Sequence, residues 1–275
     1  NHSSSRTVAC DIGALAVAPT VRELMQWAVS KSEEVLLDAA SRRSTEEMLK
    51  LLDKLIERCR SQAGERTLTD LYLCLLGGFY HLLLGDLVDR VEITASTELF
   101  LFTPKTLGRP RFDIVDIFLD PRTRDVAREA YNTVMGHSGI YRLEQFGEGA
   151  IPFDIVICGR GRGTIRVLGN RAIFDLPEGQ VEAIADRDIT DRAALLEAAT
   201  ARFGCNLRLV GKAVVLPTML SREFTMVLLE HASIYMPQTH RFIRLLRRAG
   251  IDFELHPIAR LHFETWDALG VANAH

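Results

Sequence analysis

The sequence predicts a mixed α/β (α+β) fold, in which an N-terminal three-helix segment over residues 1–88 packs on a mixed β-sheet unit with helices over residues 89–275. Three observations carry that expectation. Apolar residues in the first third recur at helical spacing behind capping boxes. Beyond residue 150, short apolar or alternating runs are bounded by Gly, Asn and Pro. Helical segments fall between some of those runs and hairpin turns between others, which is the pattern of a mixed sheet with helices packed on it. No flexible linker parts the two segments, so they read as one continuous globular body.

Thr20 and Glu23 form a first capping box, followed by Val21, Leu24, Met25, Ala28, Val35, Leu36 and Ala39 at helical spacing. Ser44 and Glu47 form a second, backed by Met48, Leu49, Leu51, Leu52, Leu55 and Ile56 and ended by Gly64. A third helix starts near Thr67, carries Asp70 in its first turn and runs to Gly85. Short connections make the three neighbours. The third, rich in leucine on all sides, takes the central place.

After Asp89 the character changes. Phe112–Leu119 reads as a short apolar strand, which puts Asp113 and Asp116 on opposite faces. Asp120-Pro121 reads as a helix start and Gly136 as its end. Tyr141–Gln145 reads as a strand before the loop Gly147-Glu148-Gly149. From Asp154 the chain reads strand, Gly-Arg-Gly-Arg-Gly loop, strand, Gly169-Asn170 turn, strand. A helix over Asp191–Phe203 closes at Gly204. Leu207–Leu216 is a strand stopped by Pro217. Ser221 caps a helix ending before Pro237, Gln238–Ala249 is another, and Phe253–Glu264 is the last strand.

Composition narrows the function classes. The net charge is −3, and a dedicated nucleic-acid binder would show a basic excess. The 33 basic residues include five lysines, Lys31, Lys50, Lys54, Lys105 and Lys212, so scattered arginines carry little information and an oddly placed lysine carries more. Five widely spaced cysteines form no CxxC pair, and they read as buried free thiols in a reducing cytoplasm. No apolar run of about 18 residues implies a membrane span. The opening NHSSSR has no apolar signal core, and a chain beginning at Asn1 reads as a fragment or a processed product.

The leading candidate site is Gly159, Arg160, Gly161, Arg162 and Gly163. Alternate glycines free backbone N–H groups to approach a ligand, and the interleaved arginines suit an anion. The pattern matches neither a Walker loop nor a dinucleotide fingerprint, and Thr164–Val167 continues as a strand, so no helix dipole faces the loop. A bulged hairpin with solvated arginines is the competing reading. Lys212 follows Gly211 in an apolar strand and shares parity with Arg208. It is a contact to a phosphate or carboxylate, a base of depressed pKa, or an edge lysine reaching water. In the last strand, His262 and Glu264 would lie about 7 Å apart on one face, as an acid/base pair or two metal ligands. His256 lies about 20 Å away, and two ligands do not complete a metal site. Gly136-His137-Ser138-Gly139 lacks the second glycine of a nucleophile elbow. The helix His240–Arg248 carries arginines opposite an apolar face that packs on the sheet. No motif names a cofactor or a catalytic residue.

Two functions of different classes follow. One is a protein that binds a small anionic, phosphorylated ligand through Gly159–Gly163, Arg160, Arg162 and Lys212. The other is a non-catalytic interaction or regulatory module, assembling with a protein partner or as a homo-oligomer through its helical third.

Overall fold

The computed structural model describes residues 8–13, 67–90, 92–136, 142–229 and 235–261, with isolated positions between 19 and 58. The first two expected helices fall largely outside the described residues, as do His137, Ser138, Gly139, His262 and Glu264. The chain divides into two compact units. The first holds residues 1–101 together with Ile157–Arg162, and the second holds Phe102–Val156 and Gly163–His275.

In the first unit, helix α1 spans Leu68–Leu84, where the sequence places it. Its N-terminus is a full capping box: the Thr67 hydroxyl accepts the Asp70 N–H at 3.4 Å, and the Asp70 carboxylate accepts the Thr67 N–H at 2.9 Å. Leu71 is buried against Leu68, Cys74 and Leu75. A 3₁₀ turn over Ala9–Asp11 joins this end of the helix through the Leu68 N–H, which donates to the Ile12 carbonyl at 2.7 Å, and through a bridge between Gly13 and Thr67. The reading of five free thiols fails at Cys74, which is disulfide-bonded; Cys10, Cys158 and Cys205 form no disulfide.

The second unit is built on a five-stranded antiparallel sheet, rather than the mixed sheet expected. Its strands are β1 (Ala150–Ile157), β2 (Gly161–Leu168), β3 (Arg171–Leu176), β4 (Gly179–Ile184) and β5 (Leu207–Gly211), in the order β4-β3-β2-β1-β5. The Gly169-Asn170 turn sets the β2–β3 register, with Leu168 opposite Arg171 and Thr164 opposite Asp175. β1 is buried along its whole length, as a central strand covered on both faces must be. Helix α4 (Arg192–Phe203) crosses from β4 at one edge to β5 at the other; Asp191 caps it by accepting the Ala194 N–H at 2.7 Å. Phe203 meets Phe174 of β3 edge to face at 5.1 Å.

Several local readings are corrected. Phe112–Leu119 is helical, with α2 over Asp113–Leu119 entered through a 3₁₀ turn at Pro110–Phe112. Its buried residues, Ile114, Val115, Phe118 and Leu119, are spaced to fill one helix face, which a short apolar run cannot distinguish from a strand. Helix α3 begins at Arg124 rather than Asp120, because the Asp120 carboxylate accepts the Arg122 N–H at 2.9 Å and pairs with its guanidinium at 2.6 Å. The expected strand at Tyr141–Gln145 is a 3₁₀ turn over Leu143–Phe146, held by the Leu143 N–H donating to the Asn132 side chain.

β5 stops at Gly211, and Pro217 lies in the first turn of helix α5 (Val215–Ser221), where its missing N–H has no helical role. Ser221 therefore ends a helix instead of starting one. Its hydroxyl donates to the Thr218 carbonyl, and strand β6 (Met226–Leu229) follows. Helix α6 (Met236–Arg248) sets its apolar face against helices rather than the sheet, with Phe242 stacked on Phe118 of α2 and edge to face with Tyr131 of α3. The last strand is shorter than its alternation suggests: β7 (Ile258–Leu261) pairs in parallel with β6, and residues 251–257 join no ladder. Among the described residues, no helix is long and apolar enough to cross a membrane.

Candidate functional site

The Gly-Arg segment forms a tight turn over residues 158–160 followed directly by β2. Gly159 and Gly161 take φ of +79° and +83°, a left-handed backbone that a side chain strains. Gly163 serves differently: a Cβ there would lie 2.7 Å from the Asp175 carbonyl oxygen of β3. Turn geometry and strand packing thus use all three glycines. Of the turn's donors, the Arg160 N–H closes onto the Ile157 carbonyl at 3.0 Å. The Gly159 N–H donates at 2.7 Å to the carboxylate of Asp11. An anionic oxygen therefore already sits on this turn, and it belongs to the chain itself. Arg160 and Arg162 are half-buried beside it in sequence.

Asp11 brings Cys10 with it, on the 3₁₀ turn tied to α1. The Cys158 thiol donates to the Cys10 sulfur at 3.7 Å, and the Cys10 thiol to the Asp11 carboxylate at 3.7 Å. The three donor atoms lie within 4.8 Å of one another, the one such group of metal-ligating side chains among the described residues. Both cysteines are half-buried, and Asp11 is exposed. Sequence spacing does not reveal this cluster, because 148 positions separate Cys10 from Cys158.

Lys212 lies in the second unit, just past β5. Its ammonium is 2.6 Å from Asp154 of β1 and 4.1 Å from the centre of the Phe146 ring. Only 6% of its side chain is exposed, so it does not reach out to water as an edge lysine would. Its neighbour Ala213 has φ of +43°, a strained turn that a non-glycine residue holds between β5 and α5. Arg208, of the same parity, instead folds back onto Asn206 at 2.6 Å.

The helical form of residues 113–119 brings Asp113 and Asp116 to one face, one turn apart, against the expectation of opposite faces. Arg192 bridges them: its guanidinium pairs with Asp113 and lies 3.4 Å from Asp116, and its N–H donates to Asp116 at 2.7 Å. Arg222 reaches Asp113 from the end of α5 at 2.6 Å. Burial raises the Asp116 pKa above the ordinary aspartate value. The Arg192 N–H and charge oppose that shift, and Asp191 and Asp113 add to it. Nearby, Arg111 pairs with Glu223 at 2.8 Å. These pairs join α2, α4 and α5, so the cluster first has the chemistry of a structural clasp.

Comparison with known proteins finds no family model, no curated protein and no solved structure that matches this chain.

Proposed function

We propose that the turn at Gly159–Arg162 binds a small anionic, phosphorylated ligand. The observation that supports this reading is the Gly159 N–H donating to a carboxylate at 2.7 Å: the turn presents a donor with a geometry that an anionic oxygen satisfies. Arg160 and Arg162 supply the charge. In this reading Asp11 is the occupant that an incoming phosphate displaces, and a dianion competes well against a single carboxylate. Lys212 is left out of the proposed site, because Asp154 and Phe146 already engage its ammonium.

The direct test is a thermal-shift titration of the full chain with inorganic pyrophosphate. A ligand at about 100 times its Kd adds roughly 2.7 kcal/mol, a rise of a few degrees for a chain of this size. The rise is expected in the parent chain and absent from Arg160→Ala/Arg162→Ala at unchanged intrinsic stability. An equal rise in both proteins removes the turn from the site. Among the described residues, three thiols outside any disulfide support a reducing, cytoplasmic compartment, and the Cys74 disulfide counts against it. A non-reducing peptide map of the natively purified chain decides between them.

A further inference from the structure

We infer that Cys10, Asp11 and Cys158 form a binding site for a thiolate-seeking divalent cation of the zinc class. The inference uses Asp11 where the Gly159 N–H holds it, so a phosphate that displaces Asp11 from the turn would compete with the metal. Its basis is a match of lengths. Tetrahedral zinc with Zn–S of about 2.3 Å and Zn–O of about 2.0 Å has an S···S edge of about 3.8 Å and an S···O edge of about 3.5 Å. The Cys10–Cys158 sulfurs are 3.7 Å apart, and Cys10 Sγ is 3.7 Å from Asp11 Oδ1. The three donor atoms lie within 4.8 Å of one another, close enough to share one tetrahedral ion.

The supporting shell is in place. The Gly159 N–H fixes the Asp11 carboxylate at 2.7 Å, as outer hydrogen bonds orient metal-ligating carboxylates. The Cys10–Asp11 turn is tied to α1 through Ile12 and Gly13, and the Cys158 turn is closed by Arg160. Two sulfur donors select zinc over magnesium or calcium. The two thiol protons now bridging Cys158, Cys10 and Asp11 are those the metal would displace, so binding releases about two protons per ion.

The test titrates the metal-free full chain anaerobically with Zn(II), and in parallel with Co(II), whose thiolate charge-transfer absorption reports sulfur ligation. One equivalent of zinc is expected, with proton release, in the parent chain and in Cys205→Ser. Binding should be lost in Cys10→Ser and Cys158→Ser, and weakened at least tenfold in Asp11→Asn. Zinc binding unchanged in Cys10→Ser would overturn the site. So would the absence of a thiolate–cobalt band in the parent chain, a result that stands even if the cysteine variants fold poorly. Recovery of Cys10 and Cys158 as a disulfide in the natively purified chain would make the pair a cross-link and equally overturn it.

Discussion

The Lys212 ammonium is held 2.6 Å from the Asp154 carboxylate beneath the Phe146 ring, with 6% of the lysine side chain and 10% of the aspartate side chain exposed. The pair joins the end of β5 to the centre of β1, beside the Lys212 N–H that donates to the Pro152 carbonyl at 2.8 Å. A buried ion pair adds little net stability, but breaking it leaves an uncompensated charge. Lys212→Met alone should cost about 3–5 kcal/mol, while Lys212→Met/Asp154→Leu should cost less than either single change. Urea denaturation of the three variants measures this, and additive losses would show that the two groups act independently.

Asp116 and Asp120 should respond to pH with opposite signs. Asp116 has a raised folded-state pKa, so its contribution to stability is greatest when protonated and falls as pH rises from 3.8 through the raised value. Asp116→Asn keeps an acceptor for the Arg192 N–H and removes the half-buried charge. Relative to the parent, the variant should therefore gain stability as pH rises from 3.8 through the raised value. Asp120 is lowered to about 2 by its hydrogen bonds to Arg122, so its contribution is present above 3.8 and is lost as pH falls toward 2. Asp120→Asn should flatten that acid limb, by a small amount because the Arg122 partner stands open to solvent. Denaturation midpoints across this range test both signs.

The loop glycines separate by mechanism. Gly159→Ala meets open space and pays only the left-handed backbone, about 1–2 kcal/mol. Gly163→Ala drives a methyl to 2.7 Å from the Asp175 carbonyl oxygen and also against Leu176, so strand β2 must shift away from β3. The expected cost is larger, about 2–3 kcal/mol or more. Thermal unfolding of the two variants orders them, and a reversed order would mean that the turn, not the strand, is the constrained element.

Legibility in the sequence followed the range of each signal. The β2–β3 hairpin, the Gly204 end of α4 and the start of α1 near Thr67 are local chemistry, and each lies where its residues predict. Residues 113–119 read as a strand in the sequence because seven residues are too few for periodicity to choose between two helical turns and a strand. That error concealed the Asp113–Asp116 pairing, which exists only at helical spacing. Pro217 reads as a strand stop in the sequence, yet it is equally at home in a first helical turn. The Gly-Arg turn was visible, but its occupant was not, since Asp11 reaches it from 148 residues away. The same separation hides the Cys10–Cys158 approach from any rule of cysteine spacing.

The measurement that tests the central claim most directly is pyrophosphate binding by Asp11→Asn beside the parent chain, in metal-free buffer. Asparagine keeps an oxygen for the Gly159 N–H but removes the negative charge that competes with the ligand. Relief of about 1 kcal/mol of like-charge repulsion corresponds to roughly fivefold tighter binding. A fivefold gain in Asp11→Asn, abolished when Arg160→Ala/Arg162→Ala is added, is the result the account predicts. Equal or weaker binding in Asp11→Asn would show that the turn holds Asp11 for structure and is not an anion site.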